Sequence, residues 1–179
     1  DALSRIYEEE QEWEKTMELL QRLVDLLSDQ SRRVECYYRM GRIAEGPLND
    51  PDGALERYQF AVDVDPSYLQ ALASLREIYK NRQDWENAIS TLKQEESHTQ
   101  DPDTKSALLY HIGYLYHAEL SDIGLAQDYY EKAMQWNPRN TEAAQPLSDI
   151  YFTREAYAKA EPLLDLLVDA VRNGEVERE

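Results

Sequence analysis

Residues 6–20 read IYEEEQEWEKTMELL, residues 78–92 read IYKNRQDWENAISTL, and residues 150–164 read IYFTREAYAKAEPLL. Ile6, Ile78 and Ile150 stand 72 positions apart. Tyr7, Tyr79 and Tyr151 fall in one column, Trp13, Trp85 and Tyr157 in a second, and Leu20, Leu92 and Leu164 in a third. A different kind of segment lies between these copies and keeps the same spacing. Gly41 matches Gly113, Ala54 matches Ala126, Tyr58 matches Tyr130, Ala61 matches Ala133, and Pro66 matches Pro138. The unit is therefore a pair of unlike repeats, each of about 34 residues with a little insertion.

Within the repeats the apolar residues follow a helical period. Ala126, Tyr130 and Ala133 fall at i, i+4 and i+7, on one face, with Glu131 and Lys132 off it. Asp50-Pro51 and Asp101-Pro102 place an N-cap acceptor before a proline at the first helical position. Asp84 is placed to cap the helix that carries Trp85, and Ser67 with Gln70 has capping-box spacing. No segment keeps the period-2 alternation of a half-buried strand. The spacing predicts ten helices, at about 1–11, 13–27, 31–45, 51–64, 67–81, 85–97, 103–119, 122–136, 140–153 and 157–172. Gly46, Pro47 and Asn49 mark a longer turn in the second repeat, and Leu120 to Gly124 its counterpart in the fourth.

These columns resemble the tetratricopeptide repeat family over nearly the whole chain. In that family a small residue late in the first helix lets the two helices approach closely. Gly41 and Gly113 match it, Ser4 and Ser148 match it more weakly, and Arg76 departs from it. An aromatic follows three residues on at Tyr7, Tyr79, Tyr116 and Tyr151, with Ala44 the exception. A small residue opens the contact face of the second helix at Thr16, Ala54, Ala88, Ala126 and Ala160. The resemblance implies an all-α, right-handed α-solenoid of five helix–turn–helix repeats, at about 1–30, 31–66, 67–102, 103–138 and 139–174. Together they form one array over 1–174, with 175–179 as a tail or the start of a further repeat. One helix pair cannot bury its apolar face alone, so the Tyr, Trp and Leu columns are expected to form a core shared between neighbouring repeats.

In such arrays the first helices line a concave face that holds partner segments. The alignment places Arg5, Tyr38, Arg42, Ala73, Glu77, Tyr110, Tyr114, His117, Gln145 and Asp149 there. Tyr38, Tyr110 and Tyr114 lie outside the core columns. Tyrosine offers rigid apolar area and a hydroxyl at low entropic cost, which suits recognition. The same rings would also suit gap-filling between repeats. Arg32, Arg33, Arg39 and Arg42 make the N-terminal end locally basic, either to receive an acidic segment or to pair with Glu35, Glu8 or Glu9. Some tetratricopeptide co-chaperones grip a C-terminal carboxylate with a Lys/Asn clamp; Arg5, Tyr38, Arg42, Ala73 and Ser74 occupy the matching positions and do not supply one.

The formal net charge is −17, which opposes broad attraction to nucleic acid or to an anionic membrane. No stretch approaches the apolar length of a membrane span. No secretory leader is visible, and a start at Asp1 suggests a piece of a longer protein. Cys36 is the only cysteine, so no internal disulfide is expected, and a cytoplasmic location is the working expectation. His111 and His117 are six apart, not the three or four that share a helical face, and no nucleotide, hydrolase or metalloprotease motif occurs. No catalytic role, metal or cofactor is expected. The expectation is a scaffold for a protein or peptide segment, with a spacer or self-association segment of a longer repeat protein, or the regulatory part of an enzyme, as alternatives. Burial of an aromatic of the core columns is worth about 1.5–3 kcal/mol. Tyr79→Ala or Trp85→Ala should therefore lower the melting temperature measurably in a thermal melt.

Overall fold

The computed structural model describes residues 2–174, without the side chains of Ala2 and Arg5. The expected tail at 175–179 lies outside the described residues. Among those residues there are ten α-helices and no strand: α1 (Ala2–Glu9), α2 (Trp13–Leu26), α3 (Gln30–Glu45), α4 (Pro51–Val64), α5 (Leu69–Asn81), α6 (Trp85–His98), α7 (Pro102–Tyr114), α8 (Ile123–Trp136), α9 (Thr141–Thr153) and α10 (Tyr157–Arg172). None of them is long and apolar enough to cross a membrane. The chain forms two compact units that divide after Glu95.

The helix starts follow from short acceptor side chains. Asp50 accepts from Gly53 N–H at 2.9 Å, Asp101 from Thr104 N–H at 2.8 Å, and Asp84 from Asn87 N–H at 3.3 Å. Asp29, Asp122 and Asn140 cap α3, α8 and α9 in the same way. The capping box expected at Ser67 does not form. Asp65 takes both the N–H and the hydroxyl of Ser67, at 2.9 and 2.7 Å, and α5 starts after Tyr68 with no side-chain cap.

The hairpin turns carry the 72-residue repeat into the backbone. Gln11, Gln83 and Glu155 all sit in the left-handed region, at φ 58°, 56° and 58°. After each, the next N–H bonds the tyrosine carbonyl five residues back: Glu12 to Tyr7, Asp84 to Tyr79, and Ala156 to Tyr151. The second and fourth repeats carry one residue more. There Leu48 N–H bonds Ile43 C=O and Leu120 N–H bonds Leu115 C=O, both at 3.1 Å, and Asn49 and Ser121 take the left-handed position. After α7 this closes a π turn over Leu115–Glu119, where the sequence predicted an uninterrupted α-helix to 119. A wide turn absorbs a single inserted residue without breaking the helix, and periodicity alone does not reveal it.

Each hairpin closes on a small residue. A Cβ on Gly41 would lie 2.5 Å from the Tyr58 ring, and one on Gly113 would lie 2.7 Å from the Tyr130 ring. Tyr58 and Tyr130 are buried, as are Thr16, Ala54, Ala88, Ala126 and Ala160, the small residues of the second helices. In the first unit one apolar cluster joins α3, α4 and α5, and a second lies between α2 and α3. In the second unit a single cluster joins α7 to α10. The core expectation fails at two places: Tyr157 is 56% exposed and Leu164 46% exposed, because no described helix covers that face of α10.

Repeat three solves its packing differently. Arg76 takes the place of the small residue, and Glu95 takes the place of Ala61 and Ala133. They meet: Arg76 Nη1 lies 2.8 and 3.0 Å from the two Glu95 oxygens. Burial pushes the Glu95 carboxyl up to about 7, with Arg76 pulling against it and Glu77 adding to it.

Two outcomes follow for stability. Gly113→Val should destabilise by about 1–3 kcal/mol through overpacking against Tyr130. Gly124→Ala, where the added methyl meets only ordinary contact, should be neutral or gain up to about 1 kcal/mol, both read by denaturant unfolding. The folded chain holds the Glu95 proton at a pH where the unfolded chain has lost it. Stability from this group is therefore full below about 4.5 and is lost as pH rises through about 7. Glu95→Gln should gain on the wild type by about 1–3 kcal/mol between pH 5 and pH 8, measured as the change in their stability difference.

Candidate interaction site

Arg5 was placed on the binding face by alignment, but its side chain lies outside the described residues. Of the other first-unit positions, Tyr38 and Glu77 are engaged within the protein. Tyr38 is half-buried beneath two rings, Tyr58 at 5.7 Å and Tyr68 edge-on at 5.5 Å. Tyr68 is fixed by its hydroxyl, which donates to Glu35 at 2.8 Å. Glu77 accepts from Arg76 at 3.0 Å and pairs with Lys80 at 3.2 Å. Burial raises its carboxyl, but the hydrogen bonds from Arg76 and Lys80 outweigh that and hold it below the usual range. Arg39 donates to Glu8 at 2.6 Å and to Ser4 at 3.0 Å, so this part of the basic cluster is paired locally. Arg42 is exposed and lines a cavity of ≈ 390 Å³ with Glu8, Trp13 and Glu35.

In the second unit four of the expected residues, Tyr110, Tyr114, His117 and Gln145, come together. Tyr110, Tyr114 and His117, from α7 and its π turn, line an open cavity of ≈ 530 Å³ opposite Glu142, Gln145 and Pro146 of α9. Its floor is Tyr130, which stacks on Tyr110 at 6.0 Å. Tyr114 tilts against Tyr110 at 6.4 Å and is 47% exposed. His117 stands edge-on to Tyr130 at 6.1 Å, with Nδ1 3.4 Å from the Tyr130 hydroxyl. Burial raises the Tyr130 and Tyr110 hydroxyl pKa values; at Tyr110 the Glu142 carboxylate and Tyr114 add to it. Asp149 is exposed on α9 and does not line this cavity; its carbonyl accepts from the Thr153 hydroxyl.

Tyr38 and Tyr110 occupy equivalent positions, yet one is roofed and the other open. The roof, Tyr68, is replaced 72 residues on by Asn140. Asn140 turns away to cap α9 through Ala143 N–H and to donate to Ser106 at 2.8 Å. Glu142, Pro146 and Tyr130 were not singled out in the sequence as site residues. Glu142 and Pro146 were detectable only by comparison with Gln70 and Ser74, their counterparts one unit earlier. Among the described residues no group of three or more His, Cys, Asp or Glu is arranged to hold a metal ion.

The tetratricopeptide repeat family profile matches the chain over residues 71–105 and again over residues 117–178. No curated protein matches it in sequence. Solved structures match it in fold. MamA is 16% identical with a TM-score of 0.61, over 96% of this chain and 94% of that one. A tetratricopeptide repeat protein from Parabacteroides merdae ATCC 43184 is 16% identical with a TM-score of 0.63, over 96% of this chain and 65% of that one. The N-terminal domain of stress-induced protein-1 from C. elegans is 13% identical with a TM-score of 0.58, over 69% of this chain and 98% of that one. At these identities the likeness is one of fold, the all-α solenoid of paired helices.

Proposed function

This chain belongs to the tetratricopeptide repeat family, and we propose that it is a protein-interaction module whose partner segment enters the cavity between α7 and α9. Arrays of this fold are as a rule scaffolds and not catalysts, and they commonly hold protein partners. The observation that carries the reading is the open cavity of ≈ 530 Å³ walled by Tyr110 and Tyr114. Two adjacent tyrosines with exposed ring area are the residue type that concentrates binding energy at interfaces. Tyr130 beneath them is buried and fixed, so the wall is formed before a partner arrives and little ordering is needed on binding. Tyr38 plays a packing role in the first unit, and Arg42, beside it, remains available there for a second contact.

A specific observation favours one other reading. Phe152, Tyr157, Leu164 and Val168 expose an apolar strip at α9 and α10, with Phe152 and Tyr157 edge-on at 5.4 Å. Such a strip fits stacking on further helices or on a second copy.

A peptide array or pull-down should separate the roles. The Tyr110→Ala/Tyr114→Ala variant should lose capture by about tenfold or more at unchanged fold, as a pair of interface aromatics requires. Tyr38→Ala should keep capture but melt earlier. Equal capture by wild type and the double variant would reject the site, and concentration-dependent sedimentation abolished by Leu164→Glu would favour self-association instead.

A further inference from the structure

Resting on the reading of the α7/α9 cavity as the binding site, we infer that its occupant is a cationic side chain, the lysine or arginine of a basic partner segment. The cavity combines ring faces with acceptors and holds no Lys or Arg of its own. Tyr110 and Tyr114 present adjacent faces, and Tyr130 backs Tyr110. Glu142 stands opposite, with its carboxylate close enough to make the Tyr110 hydroxyl harder to ionise. No hydrogen bond or ion pair to that carboxylate occurs among the described residues. Arg139 lines a neighbouring cavity that shares Glu142 and Gln145, but makes no ion pair with Glu142.

Pro146 also alters the backbone of this wall. It lies inside α9 and has no N–H, so the Glu142 carbonyl lacks the helical donor four residues on. A carboxylate beside two tyrosine rings in an open cavity suits a cation.

Comparison within the chain points the same way. The packing positions are identical one unit apart: Tyr38 and Tyr110, Gly41 and Gly113, Tyr58 and Tyr130. The cavity positions are not. Arg42 becomes Tyr114, Glu45 becomes His117, Tyr68 becomes Asn140, Gln70 becomes Glu142, Ala73 becomes Gln145 and Ser74 becomes Pro146. In the first unit Arg42 lines a cavity with Glu8, Trp13 and Glu35, and the Tyr58 hydroxyl donates to Glu45. In the second unit a ring stands at the arginine's position, Asn140 replaces the covering Tyr68, and a carboxylate is added. The chain's net charge of −17 favours approach of a basic segment over an acidic one.

The test is an array of random-sequence peptides probed with the full chain, followed by titration of the captured peptides. Captured sequences should be rich in Lys or Arg. Exchanging that residue for norleucine or citrulline should weaken binding about tenfold, the scale of one aromatic-and-carboxylate cation site. Glu142→Gln should erase the basic preference and Glu142→Lys should reverse it, at an unchanged circular dichroism spectrum. Capture that depends on Tyr110 and Tyr114 but shows no basic preference would overturn the cation inference and leave the site standing. Basic capture untouched by Glu142→Gln and by Tyr114→Ala would overturn both, assigning the attraction to the diffuse acidic surface. No capture at all would overturn both as well.

Discussion

The close approach of a glycine to a tyrosine ring governs the geometry of this protein. At Gly113 a single added methyl would collide with Tyr130, so the absence of a side chain sets how near α7 and α8 come. That distance buries Tyr130. The buried ring then stacks on Tyr110 and stands edge-on to His117, and so fixes two walls of the cavity. Gly41 and Tyr58 repeat the arrangement in the first unit, where the Tyr58 hydroxyl is held by Glu45 at 2.7 Å. The same contact that packs each hairpin therefore also positions the exposed rings beside it. Packing and the proposed recognition are linked through one ring.

Most of the fold was legible because the physics of paired helices is local and recurrent. A left-handed residue must end the first helix of each hairpin, and Gln11, Gln83 and Glu155 take that role at equal spacing. Their side chains give no warning of it, since glycine is the usual choice there and none is present; the period identifies them where residue type does not. The π turn was illegible for the opposite reason. One inserted residue changes which carbonyl an N–H reaches, and no side chain in Leu115–Glu119 marks the change. The Ser67 capping box failed through competition: Asp65, two residues away, takes the Ser67 N–H that the Gln70 side chain would accept and also holds the Ser67 hydroxyl.

The site was legible only in part. Tyr110, Tyr114 and His117 share a helix face, and spacing alone brought them together. Spacing could not separate Tyr38 from Tyr110, because what differs is a residue thirty positions on: Tyr68 packs on one, while Asn140 spends its side chain on a helix cap and leaves the other, half-buried, on an open cavity. Nor could charge be judged by counting. Arg39 and Glu77 sit in the expected region, yet Glu8, Arg76 and Lys80 neutralise them. A paired charge presents a partner with far less field than a formal count suggests.

Repeat three shows how much departure the hairpin tolerates. A long side chain at the small-residue position would force the helices apart if it pointed inward as a bulky apolar group. Arg76 instead extends to Glu95, which occupies the alanine position on the facing helix, so the two departures answer each other. Removing Arg76 alone would take the guanidinium from the buried Glu95 carboxyl, whereas Arg76 without Glu95 would keep Glu77. This distinguishes two kinds of difference between the repeats. Where both members of a contact change together, as at Arg76 and Glu95, the change is absorbed by packing. At Tyr114, Glu142 and Pro146 the changes line an open cavity, and Glu142 has no ion pair among the described residues, which is what the proposed partner contact uses.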